Sequence, residues 1–137
     1  TNVSTSVTDT IDAVTVKLIA TDTCGNALVG VSQISEGGIA YYKALLFGPG
    51  GVEITGATGT VDVTFSNGTT QGSSDYTATN GEVDLGVVFS ASAVDDAFTE
   101  ANEIYSVALN ANSASITNAN YEAIMVDTTA VETTITD

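Results

Sequence analysis

The chain has 137 residues, enough to bury one hydrophobic core and too few for a second. Asp and Glu number 17 against 2 Lys and Arg, and with no His the net charge is −15. Lys17 and Lys43 form no basic patch, which excludes nucleic acid and anionic membrane surfaces as partners, and no run approaches the roughly 20 apolar residues of a membrane span.

About a third of the residues are the β-branched Thr, Val and Ile, and apolar positions alternate with a period of two. In chain order, residues 1–12 read as a linker, the end of a preceding repeat. Residues 13–137 read as a single β-sandwich unit that ends in the next linker. The stretch 13–19 sets Val14, Val16 and Leu18 on one face and Thr15 and Lys17 on the other. Residues 22–31 read as a loop, with Cys24 a small buried hydrophobe or an idle thiol. Gly37-Gly38 opens a strand over 39–47, and Gly48-Pro49-Gly50-Gly51 closes it. Residues 60–65 turn Val61, Val63 and Phe65 inward against Asp62 and Thr64. Turns at Asn67-Gly68 and Asn80-Gly81 precede a strand over 82–92. Tyr105, Val107 and Leu109 share one face of 103–109. A polar connection follows over 110–120, and 121–135 is strand with a break near Asp127. About seven short strands at this spacing predict an all-β, antiparallel, immunoglobulin-like sandwich with Greek-key connections.

The two edges of the chain match each other. Ser4-Thr5-Ser6-Val7-Thr8-Asp9 and Glu132-Thr133-Thr134-Ile135-Thr136-Asp137 share a hydroxyl pair, a β-branched apolar residue, then Thr-Asp. Such self-similarity predicts tandem repetition, with this unit excised from something longer.

Composition also removes much of enzymology. Without His there is no Ser-His-Asp or Cys-His arrangement and no imidazole ligand for zinc. Cys24, the single cysteine, can form no intrachain disulfide. What remains in quantity is carboxylate oxygen, the ligand type of calcium, and a charge of −15 favours bound cations because it repels itself. The densest cluster is Asp95, Asp96, Glu100 and Glu103, between two expected strands. Its spacing is not that of an EF-hand loop, so on the residues alone it is either a calcium loop or a solvated acidic turn. Asp62, Asp84, Glu53, Glu82 and Glu122 read as solvated face residues, and Tyr76 as a packed corner residue.

Ser35-Glu36-Gly37-Gly38, then Gly72-Ser73-Ser74-Asp75-Tyr76, then Asp95-Asp96 with Glu100 and Glu103, resembles the Calx-beta pattern in its usual order. That resemblance covers roughly residues 31–137 and implies a calcium-binding β-sandwich. Carried over position by position, it implies Ca2+ ligands at Glu36, Asp75, Asp95, Asp96, Glu100, Glu103 and the terminal Asp137. Asp9, the counterpart of Asp137, would serve a preceding unit, together with Asp12. The chain departs from the family in having one terminal acid where several are usual, which puts the expected number of ions at one to three. Residues 22–31 are also longer than the usual first strand. The junction Val7-Thr8-Asp9-Thr10-Ile11-Asp12 resembles the linkers of giant repeats-in-toxin adhesins, which are exported by type I secretion.

Together these readings lead to a calcium-stabilised extender repeat of a large bacterial adhesin, secreted to the cell surface for adhesion and biofilm formation. Its partners would be neighbouring repeats of the same chain, with the isolated domain monomeric. The alternative is a calcium-dependent module that binds a sugar or peptide. An enzyme is not expected, because a small sandwich with no Arg offers paired carboxylates but no evident cleft.

Overall fold

The computed structural model describes residues 2–6, 13–117 and 119–137. Two sheets face each other across one core. The first has the order β10-β1-β3-β7-β5, from β1 (Ala13–Thr21), β3 (Ile39–Phe47), β5 (Tyr76–Thr77), β7 (Phe89–Ala93) and β10 (Ala123–Val126). The second has the order β2-β11-β8-β4-β6, from β2 (Ser32–Ser35), β4 (Gly59–Asn67), β6 (Gly81–Asp84), β8 (Glu103–Leu109) and β11 (Val131–Thr136). The short β9 (Ser115–Ile116) pairs with β4. Two single 3-10 turns, Pro49–Gly51 and Gly72–Ser74, are the helical segments among the described residues.

Strand alternation builds the core. Ala40, Tyr42, Ala44 and Leu46 of β3 are buried, as are Val14 and Val16 of β1, Val61 and Val63 of β4, and Tyr105, Val107 and Leu109 of β8. Each sits one residue away from a more exposed neighbour, so both sheets turn their apolar face inward, as the immunoglobulin-like reading requires.

Several details differ from the expectation. Residues 82–92 are not one strand: β6 lies in the second sheet and β7 in the first, and the chain crosses between them at Gly86, where φ is +73°. The break near Asp127 is likewise a change of sheet, from β10 to β11. The sheets are also mixed, because β10 runs parallel to β1 and β2 parallel to β11. Cys24 is exposed, not a buried hydrophobe. Its loop is closed by Asp22, whose Oδ1 accepts the Cys24 and Asn26 N–H groups at 2.8 and 3.0 Å and turns the thiol outward.

The path of the chain fixes which residues meet at each end. The Glu36 N–H donates to the Thr136 carbonyl at 2.9 Å, so β2 and β11 finish together. β3 starts at that same end and β1 runs antiparallel to it, pairing Thr21 with Tyr41. Ala13 therefore lies at the opposite end, about 26 Å away along a nine-residue strand. Leu46 is a core residue only 1% exposed. Leu46→Ala is expected to lower stability by about 2–5 kcal/mol, with an unchanged m-value in urea denaturation.

Candidate metal centre

The same alternation that buries the core continues one step too far at the end where β2 and β11 finish. Ser32 and Ile34 face inward on β2, and Glu36 has the next inward position. Thr133 and Ile135 are followed in the same way by Asp137, and Tyr105 is preceded by Glu103. Three carboxylates thus occupy core-facing parity just beyond the last core residues.

The loops bring the rest. Glu36 begins a tight turn in which the Gly38 N–H donates to the Ser35 carbonyl at 2.9 Å. A Cβ at Gly38 would lie 2.8 Å from that carbonyl, so any side chain here would force the turn to shift. A Cβ at Gly37 would stand 3.3 Å from Asp95 Cβ, which shows how closely the turn lies against the β7–β8 loop. Asp75 ends the Gly72–Ser74 turn. Its N–H donates to the Gly72 carbonyl at 3.0 Å, and its Oδ2 accepts the Gln71 N–H. The Val94 N–H donates to the Asp75 carbonyl at 2.8 Å and fastens that turn to the start of the acidic loop. Within the loop, Asp96 Oδ1 accepts the Phe98 N–H at 2.7 Å.

Asp75, Glu100 and Glu103 each place a carboxylate oxygen within 4.8 Å of the other two. Together with Glu36, Asp96, Ser74, Val94 and Ile135 they line a cavity of about 10 Å³, room for a single water-sized occupant. Asp95, Asp96 and Asp137 are close enough to Glu36 for their charges to act on it. The seven acids Glu36, Asp75, Asp95, Asp96, Glu100, Glu103 and Asp137 therefore meet at one end. Asp9 and Asp12 lie outside the described residues. Ser74 also lines the cavity, and only its place inside the Gly72–Tyr76 motif marks it in the sequence.

The electrostatics are one-sided. Burial, then the charges of Asp137 and Asp96, push the Glu36 carboxyl above the ordinary Glu range, although the Asp96 N–H offsets part of this. Burial, then Asp75 and Glu100, push Glu103 the same way. Neither lysine is among the groups that act on these two. Lys17 lies over the Phe47 ring at 5.4 Å and acts on Asp127, and Lys43 Nζ donates to the Gly25 carbonyl at 3.4 Å. Both belong to the first sheet, whose strands carry no acid at all.

The other acids are scattered. Glu53, Glu82, Asp84 and Glu122 are exposed and Asp62 is half-buried. Tyr76 is 8% exposed and stacks on Tyr105 with ring centroids 4.3 Å apart, a packed residue as expected.

No family model matches the sequence, and no curated protein sequence matches it. Solved structures do. The Calx CBD2 domain superposes with a TM-score of 0.60 and 13% identity, over 87% of this chain and 85% of that one. The apo-form Calx CBD1 domain gives 0.59 and 15%, over 89% and 96%. The chain shares its fold with the Calx CBD domains. At these identities the likeness speaks for the fold and not for the acids.

Raised carboxyl pKa values have a definite sign. Glu36 and Glu103 hold protons more tightly folded than unfolded, so without divalent cations they oppose folding once ionised, and stability falls as pH rises through their range. In EDTA, the melting temperature is expected to rise as pH drops from neutrality toward the ordinary Glu value of 4.5. Glu103→Gln is expected to raise the neutral-pH value and flatten that slope.

Proposed function

We propose that this chain is a calcium-binding β-sandwich module that serves as an extender repeat in a long, secreted bacterial surface adhesin. The observation that carries the calcium reading is the convergence of seven carboxylates on one end with neither lysine among the groups acting on Glu36 and Glu103. Calcium takes six to eight oxygen ligands at about 2.3–2.6 Å, and a set of carboxylates with nearby backbone carbonyls is the donor chemistry it selects. Asp75, Glu100 and Glu103 would hold one ion, and Glu36, Asp95, Asp96 and Asp137 supply oxygens for a second. The shared fold with the Calx CBD domains supports the β-sandwich part of the reading.

The extender role rests on the path of the chain. β1 begins at one end and Asp137 leaves at the other, so units joined in tandem would extend end to end. A cation that joins Glu36 and Asp137 to Asp75, Glu100 and Glu103 would tie the exit of one unit to its own body and stiffen the junction. Neighbouring repeats of the same chain are then its partners, the cell surface its location, and catalysis no part of its work. A calcium-dependent ligand module is the second reading. It is favoured by Phe98, which is 71% exposed in the middle of the acidic loop.

Thermal unfolding in EDTA, then in millimolar calcium or magnesium, tests the calcium reading. Ligands that bind only the folded state at 100 times Kd contribute about 2.7 kcal/mol, a rise of roughly 5 °C or more for a domain of this size. The rise is expected with calcium, to be smaller with magnesium, and to vanish in Asp75→Asn/Glu103→Gln. An equal melting temperature in EDTA and calcium would refute it. Small-angle scattering of two units joined in tandem then separates spacer from ligand module, the spacer becoming longer and narrower in its distance distribution with calcium.

A further inference from the structure

Four buried hydroxyls form a chain through the middle of the core. Tyr42 Oη lies 2.8 Å from Tyr105 Oη and 2.6 Å from Thr133 Oγ1, and Thr133 Oγ1 lies 2.8 Å from Ser32 Oγ. Tyr42, Tyr105 and Thr133 are 0% exposed and Ser32 is 7% exposed. Tyr42 comes from the first sheet, on β3, and the other three from the second, on β8, β11 and β2. The chain therefore bridges the two sheets in a place where a sandwich is otherwise held by non-directional apolar contact.

These strands are the ones that lead to the acidic end. Ser32, Thr133 and Tyr105 form a single cross-strand row, because Thr133 pairs with Ser32 on one side and with Tyr105 on the other. Two residues further along, about 7 Å away, comes the row Ile34, Ile135 and Glu103. Two residues beyond that stand Glu36 and Asp137. Asp75 joins through its neighbour Tyr76, whose ring lies at 10° to that of Tyr105.

We propose that the Tyr105–Tyr42–Thr133–Ser32 hydroxyl chain is the positioning device of the metal centre, locking the register of β2, β8 and β11 so that Glu36, Glu103 and Asp137 arrive on the core-facing side together. This rests on the calcium reading of the acidic end. The physical reason is that a slip of one residue turns every side chain of a strand to the other face and is opposed by the buried apolar pattern, whereas slips of two residues keep that pattern and would separate the acids. Buried hydroxyls resist them strongly, since each displaced oxygen is left without a partner away from water. Thr133 occupies the decisive position, with contacts to both Tyr42 and Ser32. The hydrogen bonds given for these four run among themselves, so they position the ligands and do not bind the ion.

Calcium dissociation constants, measured by competition with a chromophoric chelator on the whole chain, test this together with melting temperatures in EDTA and in calcium. Thr133→Val and Tyr42→Phe are each expected to weaken calcium binding about three- to tenfold, with Thr133→Ser within roughly twofold of the unsubstituted chain. A device that served stability alone would lower the two melting temperatures equally and leave the dissociation constant unchanged. That result in both variants overturns the proposal. If Thr133→Val does not fold, Tyr42→Phe, which removes a single oxygen, decides. Failure of the unsubstituted chain to bind calcium overturns the calcium reading itself, and the positioning role with it.

Discussion

The constraint on which the rest depends is the repulsion among carboxylates that the fold gathers at one end. In a chain of 137 residues and net charge −15, a dispersed arrangement of acids would be the low-energy one. Instead Asp75, Glu100 and Glu103 bring oxygens within 4.8 Å, and the charges that act on Glu36 and Glu103 are themselves carboxylates. Hydrophobic burial and strand pairing hold these groups against their repulsion. A divalent cation bound to the assembled set, with no comparable site in the unfolded chain, would convert that opposing term into a favourable one.

The core and the acidic end are continuous with each other. Alternation places Ile34, Tyr105 and Ile135 inside, and the same alternation places Glu36, Glu103 and Asp137 next to them at the mouth of the sandwich. The acids thus inherit their positions from the packing of the sheets, with the turns at Gly37-Gly38 and Gly72–Asp75 bringing in the remainder. The two sheets divide the charge accordingly. The strands of the first carry both lysines and no acid, while the strands of the second carry Asp62, Glu82, Asp84, Glu103 and Glu132. Lys17 is engaged with Phe47 of that first sheet and Lys43 with Gly25 of the loop after β1, and neither is among the groups acting on Glu36 and Glu103.

Much of this is legible in the sequence, and what is not has physical reasons. The strand over 39–47 and the inward residues of β1, β4 and β8 follow directly from period-two alternation. The crossover at Gly86 is hidden because Val83, Leu85, Val87, Phe89 and Ala91 keep one parity straight through the turn. A change of sheet leaves no mark on such a pattern. The parallel pairings of β1 with β10 and β2 with β11 are equally invisible, since local pattern records which face a residue takes and not which way its neighbour runs. The candidate ligands from Glu36 to Asp137 can be named from motif order. The tight grouping of Asp75 and Glu100 around Glu103 depends on loop geometry, which local pattern does not record. Cys24 departs from its expected burial because the side chain of Asp22 closes its loop and directs the thiol outward.

The central claim is that the gathered carboxylates coordinate a hard divalent cation. A crystal structure of the chain grown in calcium, with anomalous difference density collected at long wavelength, tests it most directly. The account predicts a peak between Asp75, Glu100 and Glu103 with calcium–oxygen distances of about 2.3–2.6 Å, and a second beside Glu36 if Asp95, Asp96 and Asp137 also serve. Water alone in that cavity, with calcium bound only at scattered acids such as Glu53 or Glu122, would contradict it.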